Sequence, residues 1–239
     1  MEVREISYDL CKPFILNIHY SRHMPNFKYG YGLFNNDYLI GVVIYGVPAS
    51  PFLCEALAGY ENRLKVLELN RLVILPNSPK NSASYLVSHS LKLLPKGLFI
   101  VSYADTGWGH IGYVYQATNW IYTGLTSPHT DPAGKSGHAR NHKSVPGGER
   151  QIRTQKHRYV YFTGNKKKQL KQLKFPVINE YPKGDSVHYD LDNPTPVDKR
   201  IFVSDEVKRN IKNSGKVFLR KFSAPKNYKK TSLLNKDNK

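Results

Sequence analysis

The chain contains little cysteine: Cys11 and Cys54 are the two cysteines among its 239 residues. Two cysteines without metal-ligand spacing argue against a disulfide framework and favour a reducing compartment. Long hydrophobic runs are also missing, because the longest, 38–47, has the length of a strand and not that of a membrane span. The first residues have neither the basic region nor the apolar stretch of a signal peptide. We therefore expect a cytoplasmic protein without a membrane segment.

Acidic residues are scarce in the second half of the chain. Residues 126–239 hold twenty-six Lys and Arg against ten Asp and Glu, whereas residues 1–125 are nearly balanced, within a formal net charge of +18. The basic residues are interleaved with Tyr, Phe and His, which favours a polyanion partner, and nucleic acid first, over a merely solvated basic face. No strongly amphipathic basic helix carries the charge, which argues against a membrane surface.

Hydrophobic periodicity predicts an α/β (α+β layered) fold with a mixed sheet flanked by helices. After a helical segment at 5–25, residues 27–124 are expected to follow the order β-β-β-α-β-α-β. The helix after strand 66–75 is expected to begin at Ser78, with this serine as N-cap and a proline next. The second helix is expected to cover 108–118.

The remaining residues predict the domain organisation. A strand is expected at 158–163 and a lysine-rich helix at 165–173. Residues 1–175 are expected to form the main domain, which includes a long basic loop at 127–152. Residues 176–239 are expected to form a basic C-terminal extension whose last part is flexible.

One segment, SYADTGWGHIGYVYQATNWIYTG at 102–124, concentrates polar and aromatic groups at the end of a strand, where α/β folds place ligands. Asp105 is either a helix N-cap or a general base, and it can be both. Tyr115, on the following helix, is either a core aromatic or a group that donates or accepts a proton. Other aromatic residues there could stack on a base or pack in the core: Trp108, Tyr113 and Trp120.

Polar residues also interrupt the strand VLELNRLVIL. Alternation places Glu68 and Asn70 on one face and Arg71 on the other, and such groups are costly to bury unless they are paired. Two interpretations are open. The polar residues either form a buried ion pair or lie on an edge strand, or they bind a ligand. The N-terminus of the next helix, near Asn81 and Ser82, is either a phosphate cradle or an ordinary capped end.

The histidines give a weak metal signal. His19 and His23 have an i, i+4 spacing that suits a metal, but no HExxH or CxxC motif accompanies them. His110 is a single histidine in its turn, so a structural role competes with metal ligation.

Several segments together resemble a known family. ELNRLVILPNSPKNSASYLVSHSLKLL followed by SYADTGWGHIGYVYQATNWIYTG is similar to the Mom family of bacteriophage DNA-modification proteins. KHRYVYFTGNKKKQLKQL, HYSRHMP and YGYGLF extend the resemblance to about residues 17–183. It implies a fold related to the N-acetyltransferase (GNAT) superfamily. It also implies a transferase that adds a methylcarbamoyl (acetamido-type) group to adenine N6 in DNA, which protects phage DNA from host restriction in the bacterial cytoplasm.

The resemblance also implies roles for individual residues. By motif position the catalytic candidates are Arg71, Ser90, Asp105 and Tyr115. The cofactor-binding candidates are Asn81, Ser82 and Arg71, for acyl-CoA or another activated donor, although PNSPKNSAS replaces the usual RxxGxG/A signature of the superfamily. His19 and Tyr20 match an N-terminal pair of the family. An iron requirement is implied without its ligands, for which His19 and His110 are the candidates.

Double-stranded DNA is the expected partner, held through its phosphates largely without sequence preference. The candidate contacts are Arg140, Lys143, Arg153, Arg158, Lys166, Lys167 and Lys168. Two other functions remain open: an acyltransferase of the same fold that acts on a protein, a small amine or tRNA, and a non-catalytic nucleic-acid-binding protein. The oligomeric state is open as well, with a homodimer as one option.

Overall fold

The computed structural model describes residues 1–127, 129–132 and 150–184 of the chain. Its main element is a seven-stranded sheet in the order β1-β2-β3-β4-β5-β9-β6, and a separate two-stranded sheet pairs β7 with β8. The strands are β1 Glu2–Glu5, β2 Tyr29–Asn35, β3 Tyr38–Gly46, β4 Val66–Ile74, β5 Phe99–Asp105, β6 Ile121–Leu125, β7 His129–Pro132, β8 Arg150–Arg153 and β9 Lys156–Phe162.

The sheet is mixed because β4 and β5 run parallel while the other neighbouring strands are antiparallel. The parallel pairing is short: it runs from Val66 opposite Phe99 to Glu68 opposite Val101. Beyond this point β4 continues to Ile74, while β5 pairs with β9 along its whole length. The two central strands therefore separate and leave a gap between them.

In the part of the chain that the structure describes, five α-helices cover the two faces of the sheet. They are α1 Tyr8–Pro13, α2 Pro51–Ala58, α3 Ser82–Leu93, α4 Tyr113–Ala117 and α5 Lys166–Gln172. The helix α3 packs Leu86, Val87 and Leu91 against one face, together with the fully buried Trp120. A π-helical turn, Phe14–Ile18, extends α1 on the other face. Within the described ranges, no helix combines the length and the apolar character that crossing a bilayer requires.

The predicted α/β fold with a mixed sheet flanked by helices is confirmed, and so is the lysine-rich helix α5. Asn165 caps α5, since its side-chain oxygen accepts a hydrogen bond of 3.0 Å from the backbone N–H of Lys168. The sequence patterns missed β1 and α2. The predicted division at residue 175 stays a prediction, because residues 185–239 lie outside the described part of the chain.

Four predicted element boundaries were wrong. The segment predicted as helical at 5–25 is helical over Tyr8–Pro13 and Phe14–Ile18 only, because Glu2–Glu5 pairs as β1 and the backbone is extended at His19. The helix α3 begins at Ser82 and not at Ser78, because Asn77 and Asn81 adopt positive φ angles and delay it, and the Ser78 hydroxyl donates to the carbonyl of Leu75. The predicted helix at 108–118 is split into a 3₁₀ turn, Thr106–Trp108, and the short α4. The ends of the predicted loop at 127–152 pair as β7 and β8, while 133–149 lies outside the described residues.

Candidate active site

A cavity of about 340 Å³ lies where β4 and β5 separate, a volume typical of ligand-binding pockets. Its walls come from β4, the end of β5, the first turn of α3, the segment 109–115, the start of β9 and the N-terminal residues 19–20. Nine ionisable side chains line it, and they come from segments far apart in the sequence: His19, Tyr20, Glu68, Arg71, Tyr103, His110, Tyr113, Tyr115 and Lys156.

Asp105 ends β5 beside this cavity, and its carboxylate is fully engaged. One oxygen accepts hydrogen bonds from the Thr154 hydroxyl at 2.6 Å and from the Gly107 N–H at 2.9 Å. The other oxygen lies 2.8 Å from Lys156 Nζ. Gly107 has to be glycine here, because a Cβ at this position would lie 2.7 Å from the Thr154 methyl group.

The surroundings of Asp105 keep it ionised. Burial alone would raise the pKa of its carboxyl, but the Lys156 charge and the three hydrogen-bonding partners outweigh burial and lower that pKa. Asp105 itself does not line the cavity, whereas Lys156 does. The N-cap role is confirmed, since Asp105 caps the turn Thr106–Trp108. A carboxylate with a lowered pKa is a weak base, so the arrangement suits the placement of Lys156 better than proton abstraction.

Tyr115 lines the cavity from α4. Its hydroxyl is 2.7 Å from Ser102 Oγ, which is also 2.9 Å from the carbonyl oxygen of Leu69. Burial, offset in part by the Ser102 hydrogen bond and reinforced by the Glu68 charge, raises the pKa of Tyr115 to about 12. Tyr115 is therefore protonated at neutral pH and can act as a proton donor inside the cavity.

A β-bulge in β4 decides which side chains reach the cavity. Arg71 pairs with Ile44 and Leu69 pairs with Tyr45, so Asn70 is an extra residue in this strand. Leu69 and Leu72 consequently pack against the same core cluster, and Arg71 falls on the face of Glu68. The prediction that Arg71 and Glu68 lie on opposite faces is wrong, because strict alternation fails at a bulge. Both side chains line the cavity.

Arg71 connects β4 to the N-terminal segment. Its guanidinium donates to the carbonyl of His23, from Nε at 3.3 Å and from one terminal nitrogen at 3.2 Å, and the other terminal nitrogen donates to the Asn70 carbonyl at 2.7 Å. These bonds fix a half-buried cation in the cavity wall. The predicted role of Arg71 in holding an anionic donor is thus compatible with its position.

The N-terminal segment brings an aromatic cluster to the cavity. The Tyr20 ring stacks on His19 with centroids 4.3 Å apart and packs against Trp108 at 4.6 Å and His110 at 6.1 Å. Burial, with smaller contributions from Arg71 and His110, lowers the pKa of His19 to about 3. Burial also lowers the pKa of His110. Both imidazoles are therefore neutral near pH 7.

The implied iron does not fit these residues. His19 and His110 both line the cavity, but no group of three or more His, Cys, Asp or Glu that could hold a metal occurs among the described residues. His19 Nδ1 already accepts the backbone N–H of Ser21 at 3.1 Å and lies 2.9 Å from its hydroxyl.

The start of α3 faces the cavity through a different residue than predicted. Ala83 lines the cavity, whereas the buried Ser82 donates its hydroxyl to the Pro79 carbonyl at 2.6 Å. Asn81 is the N-cap in a left-handed conformation and makes no side-chain capping bond. The helix end can therefore offer backbone N–H groups to an anion, but the Ser82 side chain points elsewhere.

The structure does not bring Ser90 or Trp120 to the cavity. Ser90 is fully buried under α3, where its hydroxyl is 2.8 Å from the Tyr45 hydroxyl and donates to the Val87 carbonyl. Trp120 is fully buried against Tyr115, so it packs in the core. Tyr113, by contrast, is 63% exposed and lines the cavity, so its ring is available for stacking.

The predicted DNA contacts fall in different places. Arg158 donates to the hydroxyl and the carbonyl of Thr123 and lies 3.5 Å over the Phe175 ring, so it holds β9 to its neighbours. Exposed lysines 166–168 lie in the first turn of α5. Arg140, Lys143 and the Arg153 side chain lie outside the described residues.

Sequence analysis missed Lys156 as a cavity residue. It stands directly opposite Asp105 in the antiparallel pairing of β5 with β9, so the strand KHRYVYF was the available signal. Fifty residues separate the two in sequence, and only knowledge of the strand order and register brings them together.

The chain is similar to known proteins over most of the described residues. The model of the Mom protein family matches residues 1–183. The methylcarbamoylase Mom of Escherichia phage Mu is 32% identical over 129 residues, which are 52% of this chain and 54% of that protein. The chain thus spans about half the length of the curated relative that it matches.

Solved structures of acetyltransferases are also similar. A putative acetyltransferase from Salmonella typhimurium with its cofactor acetyl-CoA has 9% identity and a TM-score of 0.42, and covers 78% of this chain and 99% of its own. A GNAT-family acetyltransferase from Bacillus cereus has 14% identity and a TM-score of 0.39, and the match covers 67% of this chain and 96% of that protein. The ribosomal-protein-S18-alanine N-acetyltransferase from Escherichia coli has 11% identity and a TM-score of 0.40, and the match covers 69% of this chain and 94% of that protein.

Proposed function

The chain belongs to the Mom protein family, and from this membership we propose that it is a transferase that adds a methylcarbamoyl group to N6 of adenine in DNA. The observation that carries the proposal is the cavity between β4 and β5, which holds a protonated tyrosine, Tyr115, beside the cations Arg71 and Lys156. The resemblance of segment 102–124 to the Mom family is the basis for adenine as the acceptor. The name of the phage Mu relative is the basis for methylcarbamoyl as the transferred group. The proposed place of action is the cytoplasm of a bacterial host.

The acceptor adenine has to leave the duplex stack before its N6 can reach the cavity. The exposed ring of Tyr113 at the cavity offers a face on which the extruded base can stack. The overall formal charge of +18 supports attraction of the DNA phosphates.

Adenine N6 is a poor nucleophile, because its lone pair is delocalised into the ring. In the proposed reaction N6 attacks the electrophilic carbon of an activated donor, the new N–C bond forms, and the bond to the leaving group breaks. The carboxylate of Glu68 accepts the proton that N6 loses, and Tyr115 gives its proton to the leaving group. Glu68 then returns a proton to Tyr115, with which its charge already interacts.

The cations act on charge that develops during this transfer. Lys156, held by Asp105, stabilises negative charge on the donor, so Asp105 acts as a positioning residue. Arg71 and the start of α3 near Ala83 are suited to an anionic part of the donor, as in an acyl-CoA.

Nucleoside mass spectrometry tests the proposal on DNA from bacteria that express the full chain in iron-supplemented medium. We expect a modified deoxyadenosine with the wild-type protein and its loss with Tyr115→Phe. Unmodified deoxyadenosine in the presence of soluble wild-type protein would overturn the proposal. An adduct on tRNA or on a protein, with none on DNA, would assign the same chemistry to another acceptor.

A further inference from the structure

A second basic region lies at the end of the sheet away from Asp105. Lys65 directly precedes β4, Lys96 lies shortly before β5, and α5 follows β9. Phe99 pairs with Val66 on one side and with Phe162 on the other, so these three elements meet at one end of the strands. Eight cationic side chains gather there, and we call them the basic end: Arg63, Lys65, Lys96, Lys166, Lys167, Lys168, Lys171 and Lys174.

The charges of the basic end are not neutralised by partners that the structure describes. All seven lysines are exposed, and none of the eight cations forms an ion pair with a carboxylate among the described residues. Lys156, at the opposite end of β9, does have such a partner in Asp105. Glu61 is the one carboxylate among the described residues that line the groove there, so the basic end keeps a large positive charge.

The basic end has a defined shape. An open groove of about 550 Å³ separates the 3₁₀ turn Tyr60–Lys65 from α5, and Lys65, Lys171 and Lys174 line it. The Arg63 guanidinium stacks 3.6 Å over the ring of Tyr60 and donates to its carbonyl at 2.7 Å.

The helix α5 that carries most of these lysines is anchored to the sheet. Gln169 is buried, donates to the Leu98 carbonyl at 3.0 Å and accepts the Gly164 N–H at 2.9 Å. The cations therefore project from fixed backbone, which suits a regularly spaced polyanion such as the phosphates of a duplex.

The basic end and the proposed active site lie at opposite ends of the same strands. The seven residues of β5, Phe99–Asp105, span about 20 Å at roughly 3.3 Å per residue. In the proposed function a duplex presents its extruded base at the Asp105 end of the sheet, and a straight duplex lying across that end does not reach the basic end. We propose that the basic end binds the phosphate backbone of a second duplex segment, one that is not being modified. This rests on the proposed function for the choice of DNA as the polyanion.

The test compares two triple variants of the full chain that remove the same charge. Lys65→Gln/Lys171→Gln/Lys174→Gln alters the groove, and Lys12→Gln/Lys28→Gln/Lys92→Gln is the matched control. The measured quantities are the number of short duplexes bound per chain, by native mass spectrometry, and the slope of log affinity against log salt. Modification of a short duplex that contains adenine is the third measurement.

We expect two duplexes per chain for the wild type and the control, and one for the groove variant. The magnitude of the slope of log affinity against log salt should fall by about 2 to 3 in the groove variant, since each lost phosphate contact lowers that magnitude by about 0.9. Its modification rate on the short duplex should stay within twofold. An unchanged count and slope would refute the proposal, and so would binding of anionic lipid vesicles in place of duplex DNA. A parallel loss of modification would place these lysines in the substrate path and also refute it. If neither the wild type nor any variant modifies the duplex, the proposed function is wrong. The number of bound duplexes and the salt slope then still test whether the basic end binds a second duplex segment.

Discussion

Asp105 and Lys156 form an ion pair of 2.8 Å that joins the end of β5 to the start of β9 at the edge of the cavity. The Asp105 carboxylate is buried and does not line the cavity, whereas Lys156 does. The pair therefore divides two tasks: Asp105 holds position and charge, and Lys156 is the group that a ligand can contact.

This division predicts that Asp105 acts through Lys156. Asp105→Asn keeps the size of the side chain but removes its charge, and we expect the modification rate to fall about 10- to 100-fold, as for a displaced active-site group. Lys156→Met should cost at least as much. The double variant should be no slower than Lys156→Met alone, because the effects of residues that act as a unit do not add. Additive losses would mean that Asp105 has a separate catalytic role.

Tyr115→Phe should lower the modification rate about 10²- to 10⁴-fold, the usual contribution of a positioned proton donor. Because burial raises the pKa of Tyr115 to about 12, the wild-type rate should show no loss from its ionisation up to about pH 10. The ring still packs on Trp120 and Tyr159, so the variant should fold. A variant with wild-type kcat would remove Tyr115 from the mechanism.

The burial of His19 predicts a loss of stability in acid. Its pKa of about 3 in the folded chain lies below the ordinary value of 6.5, so the unfolded chain binds more protons between these values. The contribution of His19 to stability is complete above pH 6.5. It decreases as the pH falls toward 3, by at most about 1.4 kcal/mol per pH unit.

Urea unfolding from pH 7 to pH 4 measures this effect, with His19→Gln as the comparison. The variant should lose less free energy of unfolding over that range than the wild type does. His110, whose pKa burial also lowers, remains in both proteins and contributes a slope of the same sign. Parallel pH profiles would show that His19 is not buried in its neutral form.

Sequence patterns predicted the elements of the sheet better than they predicted the site. Periodicity found β4 and its polar residues, but the bulge at Asn70 depends on the pairing of β4 with β3, and it turns Arg71 toward Glu68. Asn77 and Asn81 shift the start of α3 through their positive φ angles, which a Ser-Pro capping signal does not reveal. Motif position selected Tyr115, whereas Lys156 depends on a strand pairing fifty residues away.

Ser90 offers the sharpest contrast between motif position and structure. The resemblance implies a catalytic serine, but its hydroxyl is fully buried and lies 2.8 Å from the Tyr45 hydroxyl. Ser90→Ala leaves the Tyr45 hydroxyl without this partner in the core and should lower the free energy of unfolding by about 1–3 kcal/mol. Tyr45→Phe should cost less, because Ser90 keeps its bond to the Val87 carbonyl.

A double-mutant cycle separates packing from catalysis at this position. Ser90→Ala/Tyr45→Phe should be about 1 kcal/mol more stable than the sum of the two single effects predicts, since neither hydroxyl then lacks its partner. Well below the melting temperature, all three variants should modify DNA within about twofold of the wild-type rate, because Ser90 does not line the cavity. If Ser90→Ala lowered the rate a hundredfold in a folded protein while Tyr45→Phe did not, the serine hydroxyl would act in the reaction, and the cavity between β4 and β5 would not be its complete site.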